Sequence, residues 1–343
     1  MAGAAVASAT VARAAVALWQ PLPLRARRCA SVPRQQLPGT GRAIGLSRGA
    51  VPFEPGHSLR YEVAAPIGVP CGAADPGWGF LWTHGLTGSM RSESEGAWPF
   101  AGVPGLADLM PVARYDARGH GTSDGSATGG YTWQEMGGDL TLLRSFWGRR
   151  RTVLGGTSMG AAATLFSALE AGEGHASDIA GLVLATPPTC YGGRKQFLPA
   201  YLESAQVARS EGLEAARQLS ATKARPPIFL ESEAGRAVFE IGWEEKMRMG
   251  ADRYCSALEG ACESDLPPLE DLRGIRVPTL ILAWQSDVQH PVSSARTLAT
   301  ELPNAELHIA RTWSEIEAFP TIMRTFLVRL MARERGATVE GKY

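Results

Sequence analysis

Short hydrophobic runs alternate with longer segments of helical periodicity along most of the chain. Each run lies close to glycine, proline or polar turn residues, which is typical of a buried strand. The i, i+4, i+7 spacing of Met136, Leu140 and Leu143 predicts an amphipathic helix, and a similar pattern over 319–330 predicts the last helix. The alternation indicates a parallel sheet with helices on both faces. The predicted strands are 80–83, 112–115, 152–154, 182–185, 279–283 and 307–310.

The alternation stops between residues 190 and 272. No convincing strand occurs there, and segments 197–219 and 234–262 have the composition of helices. A helical insertion of this length before the penultimate strand predicts a lid over the edge of the sheet. The predicted organisation is a leader over 1–50, the first part of the core over 51–189, the lid over 190–272, the second part of the core over 273–335 and a tail over 336–343.

The charge balance is even overall but uneven along the chain. The 343 residues include 34 Lys plus Arg and 34 Asp plus Glu, so no basic excess indicates a nucleic-acid partner. The first 50 residues, however, contain several arginines and no Asp, Glu or Lys. This composition predicts a transit peptide for a mitochondrion or plastid. The alternative is a disordered extension or an incorrect start codon, with a cytoplasmic protein. No later stretch has the roughly 18 to 20 apolar residues of a membrane span.

No motif indicates a cofactor. Of the five cysteines, Cys29 lies in the predicted leader. The other four show no C-x-x-C pair and no nearby histidine at zinc-ligand spacing, so we interpret those four as packing residues. Phosphate-loop, H-E-x-x-H and dinucleotide-binding patterns are absent from the sequence. We therefore expect a small-molecule substrate and no metal or nucleotide, whereas the sequence leaves the oligomeric state open.

The pattern G-x-S-x-G occurs three times, and one occurrence has the context of a reactive serine. Ser47 lies in the predicted leader, and Ser123 lies between two loops. Ser158 follows a predicted strand and precedes a predicted helix. A sharp strand-to-helix turn exposes the serine oxygen at the edge of the sheet, and the helix N-terminus favours developing negative charge. Ser158 is therefore the candidate nucleophile, the alternative being a small residue at a tight turn.

Three further segments give the chain a resemblance to the α/β-hydrolase superfamily. They are 83–88 (THGLTG), 115–123 (YDARGHGTS) and 284–291 (WQSDVQHP), each after a predicted strand and in the order of the family. The resemblance covers most of residues 55–335. It implies a mostly parallel, doubly wound sheet of the α/β-hydrolase type with a helical lid.

The same resemblance assigns roles to individual positions. It implies that Ser158 is the nucleophile, that the backbone N–H groups of Leu86 and Met159 form the oxyanion hole, and that Asp287 orients a base histidine. The alternative for Asp287 is a carboxylate at the start of the following helix. The resemblance also implies that three residues brace loops rather than react, namely His84, Arg118 and His120.

The chain departs from the family at the base histidine, which is expected on the loop after the last strand. Residues 311–317 read RTWSEIE, and no histidine follows His308. We favour His290 as the replacement because it lies on a loop that faces the site, with His308, expected to be buried in the last strand, as second choice. A serine without a base, or a carboxylate of Glu315 or Glu317 in the vacant position, stays open. Two others are set aside: His57 as preceding the first strand and His175 as lying at the opposite end of the sheet.

Three functions therefore stay open. The first is a serine hydrolase that cleaves a carboxylic ester, lactone or thioester of a small to medium apolar acid through an acyl-enzyme on Ser158. The vacant histidine position favours instead a non-catalytic or very slow ligand-binding protein. A C–C bond hydrolase or a perhydrolase also fits the scaffold, because the fold alone does not define the reaction.

Overall fold

An eight-stranded sheet forms the centre of the computed structural model, which describes residues 44–67, 77–97, 99–100, 102–172 and 178–334. The strands are β1 (Ile44–Glu54), β2 (His57–Pro66), β3 (Trp78–Thr83), β4 (Val112–Tyr115), β5 (Arg151–Thr157), β6 (Ile179–Ala185), β7 (Thr279–Trp284) and β8 (Ala305–Ala310). Their order across the sheet is β1-β2-β4-β3-β5-β6-β7-β8. Strand β2 pairs antiparallel with β1 and with β4, and the other neighbours are parallel.

Helices cover both faces of this sheet. The helices over Trp133–Trp147, Met159–Glu170 and Val292–Glu301 pack against one face, whereas the helix over Phe319–Glu334 and a 3-10 helix over Val103–Asp108 pack against the other. The sheet is therefore mostly parallel and doubly wound, as predicted. The helices are α1 (Met90–Glu95), α2 (Trp133–Trp147), α3 (Met159–Glu170), α4 (Tyr191–Glu211), α5 (Leu213–Ala221), α6 (Glu233–Met249), α7 (Ala251–Cys262), α8 (Leu269–Leu272), α9 (Val292–Glu301), α10 (Trp313–Glu317) and α11 (Phe319–Glu334).

The central strands are buried along their whole length, which is why hydrophobic runs predicted them. Every residue of β6 and β7 is buried, because helices cover the sheet on both sides. Successive side chains alternate between the two faces: Leu182 and Leu184 lie in one core cluster, and Val183 and Ala185 lie in the other. Full burial of each such aliphatic side chain contributes roughly 1.5–3 kcal/mol to stability.

Hydrophobic runs did not predict the first two strands. Strand β1 begins at Ile44, so residues 44–50 lie in the sheet and not in the predicted leader, and Ser47 of the first G-x-S-x-G pattern is part of β1. His57 begins β2 instead of preceding the first strand. The two strands form a hairpin with partly exposed positions, so neither has a continuous hydrophobic run. The rest of the leader, residues 1–43, and the tail from 335 onward lie outside the described residues.

Helices α4 to α8 lie between β6 and β7, before the penultimate strand, and we call residues 191–272 the helical insertion. Each of the two long predicted helices is a pair, because the chain turns at Gly212 and at Gly250, which have φ angles of 90° and 84°. The insertion has its own hydrophobic cluster, which includes Trp243 and Tyr254. Leu86, on the loop after β3, packs against this cluster. The insertion therefore contacts the edge of the sheet at which the parallel strands end.

None of the helices in the described part of the chain combines the length and the hydrophobicity that a bilayer crossing requires.

A carboxyl group is buried beside the sheet near the start of the chain's first described helix. Glu93 of α1 is 1% exposed, and its two oxygens lie 3.1 and 3.3 Å from the indole nitrogen of Trp82. Burial raises the pKa of Glu93 to about 7, against the opposing effect of the Arg114 guanidinium. Glu93 therefore ionises around neutral pH in the folded protein.

We expect Glu93→Gln to flatten the pH dependence of stability. Because the pKa of Glu93 is raised from 4.5 on folding, its contribution is fully present below about pH 4.5 and is lost as pH rises through about 7. The wild type should lose up to about 3 kcal/mol of unfolding free energy through this group between pH 5 and 8, and the glutamine variant should not. Urea unfolding at both pH values measures this. Glu95→Gln, on the same helix but exposed, is the control; an equal slope in wild type and Glu93→Gln would contradict the assignment.

Candidate active site

The loops after β3, β5 and β7 bring the sequence-predicted site residues together at one edge of the sheet. Leu86 follows β3, Ser158 and Met159 follow β5, and Asp287 and His290 follow β7. Parallel neighbouring strands end at the same edge, so their loops lie side by side. The sheet thus gathers a serine, a histidine and a carboxylate from two separate parts of the chain.

The turn that carries Ser158 is tightly constrained. Ser158 has φ 54° and ψ −112° between β5 and α3, a left-handed conformation that costs a side-chain-bearing residue about 1–3 kcal/mol. A Cβ on Gly156 would lie 2.6 Å from the carbonyl carbon of Gly160, and a Cβ on Gly160 would lie 2.5 Å from the backbone oxygen of Thr83. Only glycine fits at these two positions. The Ser158 N–H donates to the carbonyl of Ala185 at 2.9 Å, which ties the turn to β6.

Three side chains form a continuous hydrogen-bonded row. The Ser158 Oγ lies 2.9 Å from His290 Nε2, and His290 Nδ1 lies 2.8 Å from Asp287 Oδ2. The three residues are 7%, 5% and 7% exposed, in that order. A neutral ring that donates from Nδ1 to the carboxylate has a lone pair at Nε2 for the serine hydroxyl. This is the arrangement of a nucleophile, a base and an orienting acid.

The Asp287 carboxylate organises its own loop. Its Oδ1 accepts the backbone N–H groups of Gln289 at 2.8 Å and His290 at 3.2 Å. Its Oδ2 accepts the Trp284 indole N–H at 2.9 Å as well as the His290 ring. Burial acts to raise the pKa of Asp287, but His290 and these hydrogen bonds outweigh it and hold the pKa at about 2. Asp287 is therefore ionised at any physiological pH.

The loop after β3 passes directly beside the serine. A Cβ on Gly85 would lie 3.5 Å from the Cβ of Ser158, so Leu86 is one residue from this contact. Met159 is the first residue of α3, and the first N–H groups of a helix have no intrahelical acceptor. Both backbone segments proposed for the oxyanion hole thus lie next to Ser158 in the fold.

The chain after the last strand runs almost directly into α10, whose first residue is Trp313. Trp313 is 6% exposed, lies 5.5 Å from the Phe229 ring between centroids, and donates its backbone N–H to Glu231 of the helical insertion at 2.7 Å. Glu317 accepts the Trp313 indole N–H, and Glu315 accepts the backbone N–H of residue 311. Both carboxylates belong to α10 and are thus engaged by neighbouring residues of their own segment.

His308 is exposed on β8, and the expectation that it is buried is wrong. Strand β8 lies at the edge of the sheet with β7 as its neighbour in the sheet order. An edge strand has less cover than a central one, so the side chain of His308 reaches solvent. His175 lies outside the described residues.

The contacts of His84 agree with a bracing role. Its Nε2 accepts the N–H of Ala117, in the loop after β4, at 3.0 Å, and its Nδ1 donates to the carbonyl of Gly85 at 2.8 Å. Burial lowers the pKa of His84 to about 4. A permanently neutral ring therefore links the loops after β3 and β4.

Arg118 and His120 stabilise the loop after β4. Arg118 makes two hydrogen bonds of 2.7 Å to the Asp139 carboxylate on α2. His120 Nδ1 lies 2.8 Å from the carbonyl of Arg118, and burial lowers the pKa of His120 to about 3. Both side chains thus contact the scaffold.

Sequence reasoning missed the contributions of Trp284, Trp313 and Gly85. For Trp284 a signal existed, because it is an aromatic residue with a polar group at the end of a strand. It comes immediately before residues 285–291, the loop with Asp287 and His290, which we call the acid loop. No comparable signal marked the close approach of Gly85 to Ser158, which depends on the neighbouring strand. In the part of the chain that the structure describes, no group of three or more His, Cys, Asp or Glu side chains is arranged to hold a metal ion.

Comparison with known proteins agrees with this fold, and the chain belongs to the alpha/beta hydrolase family, whose model matches residues 80–324. It is 31% identical over 237 residues to the putative carbamate hydrolase RutD of a Caulobacter species, covering 65% of this chain and 82% of that protein. It is 26% identical over 202 residues to 3-oxoadipate enol-lactonase 2 of Acinetobacter baylyi, covering 59% and 71%. The enol-lactonase structure from Burkholderia xenovorans shares the fold, with a TM-score of 0.61, 22% identity and coverage of 81% and 97%.

We expect Gly160→Ala to destabilise the protein by about 1–3 kcal/mol and to reduce any activity that depends on Ser158. The added Cβ would meet the backbone oxygen of Thr83 at 2.5 Å, so the strand or the helix must shift. Denaturant unfolding measures the change. Gly192→Ala in α4 is the control, because a Cβ there meets nothing within 4 Å and should be neutral or stabilising by up to about 1 kcal/mol. Equal stability of the two variants would contradict the steric argument.

Proposed function

We propose that the protein is a serine hydrolase that cleaves a carboxylic ester, lactone or thioester of a small to medium apolar acid. The observation that carries the proposal is the row from Ser158 Oγ through His290 to Asp287, with donor–acceptor distances of 2.9 and 2.8 Å. An intact row of this kind gives the serine a base, although the usual histidine position is vacant. It favours a catalytic protein over a ligand-binding one.

The residues of the row act in turn in the proposed reaction. His290 Nε2 takes the hydroxyl proton as Ser158 Oγ attacks the carbonyl carbon, and the backbone N–H groups of Leu86 and Met159 stabilise the resulting oxyanion. The imidazolium, held by Asp287, then returns the proton to the leaving alcohol or thiol. A water molecule, deprotonated by His290, then attacks the acyl carbon. As the acid is released, the imidazolium returns this proton to Ser158 Oγ.

We further propose that the helical insertion is a lid. Two contacts support this role: Leu86 packs against the hydrophobic cluster of the insertion, and Trp313 donates its backbone N–H to Glu231. Ser158 beneath it is 7% exposed. A covered site limits water access and strengthens the electrostatic interactions on which the oxyanion depends.

The substrate class follows from the same surroundings. Two apolar side chains lie beside the row: the Trp284 ring is 6.3 Å from the His290 ring between centroids, and Leu86 packs against the hydrophobic cluster of the insertion. Such surroundings suit the apolar acid part of an ester or lactone. Relatives of this chain include proteins named as an enol-lactonase and a putative carbamate hydrolase, so a lactone is the first compound to test.

We expect a fluorophosphonate probe to label the wild type on Ser158, and Ser158→Ala to abolish labelling. His290→Ala should reduce the turnover of a p-nitrophenyl ester by at least about 100-fold, because a general base contributes roughly 10²–10⁴-fold. His308→Ala is the matched control and should leave turnover unchanged, since His308 is exposed on β8.

Two results would contradict these roles separately. An unlabelled wild type, or labelling that survives Ser158→Ala, would overturn the serine mechanism. Normal turnover by His290→Ala would leave the nucleophile in place and remove His290 as its base.

A further inference from the structure

We propose that Trp284 is a positioning residue whose indole N–H fixes the Asp287 carboxylate and, through it, the base His290. The inference deepens the proposed function and rests on it. It concerns a donor that belongs to the sheet and contacts the acid from outside the loop that carries both acid and base.

The donor and the base share one oxygen atom. The Trp284 Nε1 lies 2.9 Å from Asp287 Oδ2, and the same oxygen lies 2.8 Å from His290 Nδ1. The Trp284 and His290 rings are 6.3 Å apart between centroids and meet edge to face at 72°. The indole therefore contacts both partners of the acid–base pair.

Packing holds the indole and therefore the direction of its N–H. Trp284 is fully buried at the end of β7. Its ring lies parallel to Phe319 at 6.5 Å and edge to face with Phe229 at 5.2 Å. A buried indole N–H needs an acceptor, and Asp287 supplies it.

Within the described residues, the Trp284 indole is the donor to Asp287 that lies outside the acid loop, and the loop is also connected to the segment after β6 by the Thr189 N–H, which donates to the carbonyl of Gln289 at 2.9 Å. Three of the donors to Asp287 belong to the loop: the N–H of Gln289 and both the N–H and the ring of His290. Around them, Val288 is 71% exposed and Ser286 has a left-handed φ of 64°. The indole N–H connects this exposed loop to a rigid strand.

The same hydrogen bond also affects the charge of the acid. An N–H donor on Oδ2 takes up part of the negative charge of the oxygen that faces the histidine ring. With less charge there, the carboxylate stabilises the imidazolium form of the ring less strongly. Loss of the donor should therefore have two effects. The Asp287 carboxylate is positioned less well, and it stabilises the imidazolium of His290 more strongly.

Trp284→Phe tests both effects on the full-length protein. It keeps an aromatic ring and removes the N–H. With a p-nitrophenyl ester we expect kcat to fall about 10-fold, which corresponds to a hydrogen bond of about 1.4 kcal/mol to a charged group, and KM to change less than about 2-fold. The acid limb of the pH profile of kcat/KM should move to higher pH.

Trp313→Phe is the matched control. Trp313 is also buried, also packs on Phe229, and donates its indole N–H to Glu317 instead of to the proposed acid. The same loss of volume and of one hydrogen bond should leave the acid limb where it is in the wild type. Thermal unfolding of both variants measures how much each change affects the scaffold.

A second replacement guards against a packing defect in the phenylalanine variant. β-(3-Benzothienyl)alanine at position 284 places sulfur where the indole has its N–H and keeps the ring shape. It should produce the same shift of the acid limb. In proton NMR it should also move the low-field resonance of the His290 Nδ1–H, which is assigned by its absence from His290→Ala.

The outcomes separate this inference from the proposed function. A wild type with Ser158-dependent turnover, whose acid limb and low-field resonance are both unchanged by the benzothienyl replacement, would overturn the role of Trp284 alone. A shift of equal size in Trp313→Phe would also overturn it. A wild type without Ser158-dependent turnover would overturn the proposed function and this inference with it.

Discussion

The close approach of three backbone segments at Ser158 is the constraint on which the site depends. The turn after β5, the start of α3 and the loop after β3 meet where side chains on Gly156 or Gly160 would crowd the neighbouring backbone. This crowding keeps Ser158 at a positive φ, and the parallel pairing of β3, β5 and β6 keeps the three segments adjacent. The stable sheet compensates for a strained turn that places the hydroxyl at its edge.

The part of the site on the loop after β7 is organised by the carboxylate of Asp287. Asp287 gathers two backbone N–H groups, a histidine ring and an indole N–H, so one loop carries both acid and base. The loop after β8 consequently has no catalytic duty in the proposed mechanism. Trp313 fills it and connects it to the helical insertion through Phe229 and Glu231.

Sequence patterns predicted the strands that are buried along their whole length. They did not predict the features that depend on neighbouring elements in the fold. Strands such as β6 and β7 are covered on both faces and therefore read as hydrophobic runs, whereas the hairpin of β1 and β2 is partly exposed and did not. Ser158 was found because its turn has a local signature. The burial of His308 was misjudged, since nothing in the sequence shows that β8 lies at the sheet edge. The hydrogen bond from Trp284 to Asp287 depends on a ring orientation that Phe229 and Phe319 set from distant parts of the chain.

The placement of the proposed acid and base on one loop determines at what point of synthesis the proposed reactive groups are all present. During synthesis, the proposed nucleophile, acid and base have all been translated once His290 has been added, before β8, α10 and α11 exist. In the proposed mechanism, β8, α10 and α11 therefore contribute packing and no reactive group. A sequence change in that segment would reach the proposed chemistry through packing, either on β7, as Phe319 packs on Trp284, or on the helical insertion, as Trp313 contacts Phe229 and Glu231.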